Sequence, residues 1–159
     1  MKDLNTTEPT LSHGHLTTNN ILISQDMQEI KIIDFGFFYL KKYCGLLSGY
    51  QNKSQYTSPE QLEEKGSVVL TANEKGDIYS FGFIMWEIMT DQIPFEGVSL
   101  QDIKRYVVIG KNRPKLDDEF PKDVAHLIRV CWQTDYTNRP TFLQVDEYIN
   151  KIDSTPGFL

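Results

Sequence analysis

Only two cysteines, Cys44 and Cys131, occur in the 159 residues. That is too few for a disulfide framework, and they lack the paired spacing of a zinc site. Clustered basic charge is also missing. No run of Lys or Arg exceeds two, and the net charge is −6 with an isoelectric point near 5.0. Neither a nucleic-acid-binding face nor a polybasic membrane patch is expected. The longest apolar stretch, around 78–89, is too short to span a bilayer. The N-terminus, Met1-Lys2-Asp3-Leu4-Asn5-Thr6-Thr7, lacks the apolar centre of a signal peptide. Nothing in the chain reads G-x-G-x-x-G, a glycine pattern that accommodates nucleotide phosphates. These absences leave a reducing, cytoplasmic setting as the expectation, with no insertion into a membrane.

What is present suits one globular domain. The chain is 40% apolar and 24% charged, ordinary proportions for a folded domain, and it is long enough to bury a sizeable core. Residues 1–10 read as a polar, Thr-rich lead-in, 11–152 as the domain and 153–159 as a tail. Asn20-Ile21-Leu22-Ile23 and Ile30-Lys31-Ile32-Ile33 are two β-branched runs joined by polar residues, the pattern of a hairpin. Residues 37–56 have no clean period and carry Gly45, Ser48, Gly49, Asn52 and Ser54, which predicts a long loop.

Helices follow. Residues 77–90 are apolar nearly all round, which predicts a central, buried helix. Ser99 and Asp102 mark another helix start, with Leu100, Ile103, Val107 and Val108 behind it and Gly110 at its end. Pro121 suits the first turn of a further helix, whose face is Val124, Leu127, Ile128 and Cys131. Cys131 is then a buried free thiol, and His126, between apolar neighbours, a half-buried surface residue rather than a ligand. Thr141 and Gln144 form a capping box before Phe142, Val145, Tyr148, Ile149 and Ile152. The fold class is mainly α: a helical bundle around a central buried helix, with a short β-hairpin near the N-terminus.

Five short motifs recur in order: His13-Gly14-His15-Leu16-Thr17-Thr18-Asn19-Asn20, Asp34-Phe35-Gly36, Ser58-Pro59-Glu60, Asp77-Ile78-Tyr79-Ser80-Phe81-Gly82 and Arg139-Pro140. This order and spacing resembles the C-terminal lobe of a protein kinase, in its tyrosine-kinase-like branch. Trp132 and Asn138-Arg139-Pro140 strengthen that likeness. The resemblance covers nearly the whole chain, and it implies the α-rich lobe of an α+β fold whose N-lobe is absent here.

The resemblance also implies roles. Asn20 and Asp34 match the two metal-binding positions, and Leu22, Ile84 and Ile88 the apolar stack beneath a nucleotide base. His15 stands where the family has its catalytic Asp. Thr17 replaces a Lys, and Gly14 replaces an Arg that pairs with a phosphorylated loop. An imidazole offers one acceptor nitrogen where a carboxylate offers two oxygens and a charge. His13 and Phe35 match members of a second apolar stack. Asp77 matches a helix Asp that holds the catalytic loop, and Glu60 and Arg139 match a buried ion pair. Tyr39, Tyr43, Ser48, Tyr50 and Ser54 are candidate phosphorylation positions read as solvated loop residues. The implied function is a kinase-like module that is inactive or truncated and acts as a scaffold or regulatory partner of other proteins. The alternative is an active, ATP-dependent protein kinase completed by a longer form. ATP and Mg²⁺ belong to that longer form, and neither is expected for this chain alone.

Overall fold

The computed structural model describes residues 12–36, 44, 54–63 and 73–153. The chain enters along 12–17, makes a single 3-10 turn at Thr18–Asn20 and passes into strand β1, Ile21–Ile23. Strand β2, Ile30–Ile32, returns antiparallel with Ile21 opposite Ile32, Leu22 opposite Lys31 and Ile23 opposite Ile30. The connecting turn is closed by side chains: the Ser24 hydroxyl accepts from the backbone N–H of Gln28 and Glu29 and donates to Asp26 at 2.5 Å.

Alternation along this hairpin sorts its side chains between two faces. Ile21 and Ile32 face each other and pack on the core. Leu22 projects to the other face, as period-two geometry requires, and is 50% exposed. The expected bulk of the 37–56 loop lies outside the described residues. Its end forms a 3-10 turn, Ser54–Tyr56, which runs into helix α1, Pro59–Glu63.

Helix α2, Asn73–Thr90, is the axis of the molecule. It packs on helix α4, Lys122–Cys131, and on the turns at Ser54–Tyr56 and Tyr136–Asn138. Close approach to α4 depends on Gly82, where an added Cβ would sit 3.1 Å from the Cβ of Cys131. Ile78, Tyr79, Phe83 and Ile84 are buried. The expectation of burial on every side fails at the last turn. Ile88 is 71% exposed among the described residues, and Met89 is also exposed. Ile88 therefore does not stand in an interior stack.

The remaining helices carry the caps expected from sequence. Ser99 accepts from the N–H of Asp102 to start α3, Leu100–Lys104. The helix then loosens into a π-helical turn, Arg105–Ile109, closed by a bond from Gly110 N–H to the Arg105 carbonyl. Pro121 sits at the N-cap of α4 rather than inside it. Thr141 and Gln144 satisfy each other's backbone N–H groups, at 2.9 and 3.2 Å, to start α5, Phe142–Asp153. Cys131 is buried, and burial pushes its thiol up to about 12. His126 is exposed and stacks on Tyr148. Among the described residues no helix is long and apolar enough to cross a membrane.

Candidate functional site

The site grows from one buried carboxylate. Asp77, in the first turns of α2, is 1% exposed. It accepts hydrogen bonds from the Ser12 hydroxyl at 2.9 Å, the His13 N–H at 2.6 Å and the Gly14 N–H at 2.9 Å. Burial pushes its acid up to about 6, against the pull of these donors. Three donors on one carboxylate fix the loop 12–14 to a helix more than sixty positions later in the chain.

His13 carries that constraint on to the hairpin. Its Nε2–H donates to the Ile33 carbonyl at 2.8 Å, and its Nδ1 accepts from the His15 N–H at 3.2 Å. Both ring nitrogens are used in the neutral form, and burial lowers the pKa below its ordinary value. The ring meets Phe35 edge-on at 5.8 Å. Asn20 completes the frame: its Nδ2 donates to the His15 carbonyl at 2.9 Å, while its own carbonyl accepts from the Ile33 N–H at 2.9 Å. The first loop and the segment 33–36 are thus tied together. Asp34 lies in the left-handed region with φ +60 and Gly36 follows with φ +70. A left-handed Asp is tolerated where local geometry demands it.

Magnesium chemistry can be tested against these groups. Asn20 keeps its amide oxygen as an acceptor after its nitrogen is engaged. Asp34 makes no hydrogen bond among the described residues, where there is also no group of three or more His, Cys, Asp or Glu able to hold a metal. Two protein ligands fall short of the six positions that Mg²⁺ requires, so they would suit an ion arriving with phosphate and water oxygens, and not a bare ion. Such an ion, when bound, would neutralise phosphate charge. Asn20 and Asp34 are the side chains of this frame that could hold it.

Beside the frame lies a small cavity of about 10 Å³, lined by Gly14, His15, Leu16, Tyr56, Thr57, Gln61 and Ser80. It has room for one water at most. Thr17 is not in its lining and is 2% exposed. The Ser80 hydroxyl donates to the Tyr56 carbonyl at 2.8 Å, which pins this side of the cavity to α2.

The sequence reading missed the cluster behind the cavity. The Tyr56 hydroxyl donates to one oxygen of Glu87, and the Thr18 hydroxyl donates to the other at 3.2 Å. Burial and the neighbouring carboxylate push the Tyr56 phenol above its ordinary value, so it stays protonated and donating. A signal did exist: Glu87 is the only charged residue within the apolar run 78–89.

Glu60 and Arg139 meet as the resemblance implies. The Arg139 guanidinium is bidentate to the two Glu60 oxygens, at 2.6 and 2.8 Å, across 79 positions. Its other N–H groups donate to the carbonyls of Gln133, Lys75 and Thr134. All five donors are used. Lys75 returns a bond to the Arg139 carbonyl at 2.6 Å.

Comparison with known proteins agrees with this geometry. The chain matches the protein tyrosine and serine/threonine kinase family over residues 5–149. It belongs to that family. It is 31% identical over 141 residues to Serine/threonine/tyrosine-protein kinase HT1 of Arabidopsis thaliana, covering 89% of this chain and 35% of the relative. Two dual specificity protein kinases of Dictyostelium discoideum, pyk3 and shkE, are 37% and 35% identical over 84% and 88% of this chain. Those matches span 9% and 19% of their lengths. The kinase match thus covers only a minor part of each of these relatives.

Proposed function

We propose that this kinase-family chain does not transfer phosphate by itself and works as a scaffold or regulatory module for other proteins. One observation supports the reading. On the loop 13–20, the positions that hold a catalytic Asp and a Lys in the family carry His15 and Thr17, and Thr17 is 2% exposed. Phosphoryl transfer rests almost wholly on positioning and electrostatics. His15 in neutral form can accept one hydrogen bond, and once protonated none. Thr17 carries no charge to offset that on a transferring phosphoryl group. The frame is kept while the reacting groups are replaced, as suits a module whose surface matters more than its chemistry.

A second reading has its own support. Asn20 and Asp34 are retained on that frame, and the Arabidopsis and Dictyostelium relatives are named as kinases. On this reading the chain is part of an active, ATP-dependent kinase, and His15 is a working base.

A radiolabelled ATP assay with Mg²⁺ separates the two. Wild type, His15→Asp with Thr17→Lys, and Asp34→Ala are compared as purified chains. The expected result is no transfer above background in any of them. Wild-type activity that Asp34→Ala abolishes would overturn the inactive reading. Activity in the double variant alone would show that the chain binds nucleotide unaided.

A further inference from the structure

We propose that the pocket between the segment 111–113 and the C-terminal end of α4 binds a dianion the size of a phosphate group. The pocket has a volume of about 220 Å³ and is lined by Lys111, Arg113, Arg129, Trp132, Gln133 and Thr134. Three of these six are cations and none is a carboxylate. This stands out in a chain whose net charge is −6. The volume is below that of pockets for drug-sized molecules, so it suits an ion or a headgroup.

Arg113 anchors the site. Its Nε donates to the Trp132 carbonyl at 2.9 Å, its Nη1 to the carbonyls of Asn112 and Val107 at 2.7 and 3.3 Å, and its Nη2 to the Thr134 hydroxyl at 3.2 Å. Its guanidinium lies over the Tyr79 ring at 5.0 Å. Every one of these partners is neutral. A guanidinium held this firmly without a carboxylate keeps its full charge for another partner. The Thr134 hydroxyl, having accepted from Arg113, keeps its own proton to donate.

Lys111 and Arg129 supply the mobile charges. Both are exposed, and neither side chain makes a hydrogen bond or ion pair among the described residues. Lys111 sits in the left-handed region with φ +51, just after the π-helical turn and Gly110. Gln133 is tied back to the Arg129 carbonyl by its amide nitrogen at 3.3 Å, which leaves its amide oxygen outside that bond. Three positive charges and a hydroxyl donor favour a dianion over a monoanion. Phosphate meets that description, whether free in solution or carried on a modified side chain.

An NMR titration of the ¹⁵N-labelled chain with inorganic phosphate at low salt tests this. The expected result is saturable shifts at Lys111, Gln133 and Thr134, weakened about tenfold or more in the Lys111→Gln, Arg129→Gln double variant. Both substitutions are at exposed positions, and an unchanged melting temperature certifies the fold. A phosphotyrosine peptide run beside its unmodified form identifies the source. Tighter binding than inorganic phosphate points to a modified side chain, and equal binding to the free ion. Shifts that never saturate, acetate binding as tightly as phosphate, or a double variant that binds like wild type would each overturn the proposal.

Discussion

Arg139 makes a sharp demand at the scale of single residues. Lysine has three donors on a point charge and cannot reproduce a fork that fills five hydrogen bonds. Arg139→Lys should cost about 3–5 kcal/mol, the range for breaking a buried pair, measured by urea unfolding. A loss below about 1 kcal/mol, the value of an exposed pair, would show the contact to be dispensable. Asp77 and His13 make a demand on pH. The folded acid of Asp77 is raised from 3.8 to about 6, so the folded chain holds a proton that the unfolded chain releases. Its contribution to stability therefore grows as pH falls from about 6 towards 4. His13 has its pKa lowered below 6.5, so the unfolded chain takes up a proton that the fold refuses. Its contribution shrinks as pH falls below 6.5. The two effects oppose each other in one window. Between pH 7 and 5, Asp77→Asn should lose more stability on acidification than wild type does, and His13→Phe should lose less. Parallel profiles for all three would rule out this account. The Asp77, Glu60 and Arg139 contacts were legible only through the family resemblance that the motif order carries. Tyr56–Glu87 was not, because neither partner belongs to those motifs and only the lone charge in the run 78–89 hinted at it.

At the scale of elements, local chemistry proved the more readable. Ser99 and Thr141 cap their helices as their spacing implies, since a cap needs only residues within one turn. The five-residue helix α1 escaped, because Ser58-Pro59-Glu60 was read as a motif and not as a helix start. The exposed end of α2 escaped for another reason. An apolar sequence does not say which of its turns will be covered, and Ile88 is 71% exposed among the described residues. Strand alternation turns Leu22 away from the face that Ile21 and Ile32 pack on the core, and it is 50% exposed. The packing of α2 on α4 yields a test. Gly82→Ala would set a methyl 3.1 Å from Cys131 and 3.4 Å from Trp132. The helices must part slightly, at a cost of about 1–3 kcal/mol, read from thermal melts. Cys131→Gly removes the contacting Cβ, so the two substitutions together should cost less than the sum of each alone, and strict additivity would place the strain elsewhere.

Over the whole molecule, the hairpin and the end of α2 leave apolar surface open. Leu22, Ile23, Met27 and Ile30 are between 50% and 78% exposed, and Ile23 lies directly opposite Ile30. Contiguous apolar patches on a monomer invite association. The purified chain should self-associate at tens of micromolar and bind a hydrophobic dye. Ile23→Lys with Ile30→Glu should reduce both effects, as an opposite-charge cross-strand pair in place of two isoleucines. Light scattering and dye fluorescence decide it, and an unaltered signal would locate the sticky surface elsewhere. The tie from Asp77 back to His13 has a consequence in time as well. The loop takes its shape from a carboxylate 64 positions downstream. During synthesis at about 5–20 residues per second, that loop therefore waits roughly 3–13 s for its anchor. Until then His13 has Ile33 and Phe35 beside it but no carboxylate to fix the loop. Over those seconds a nascent-chain chaperone has its best hold, and a ribosome paused between the loop and its anchor would prolong it.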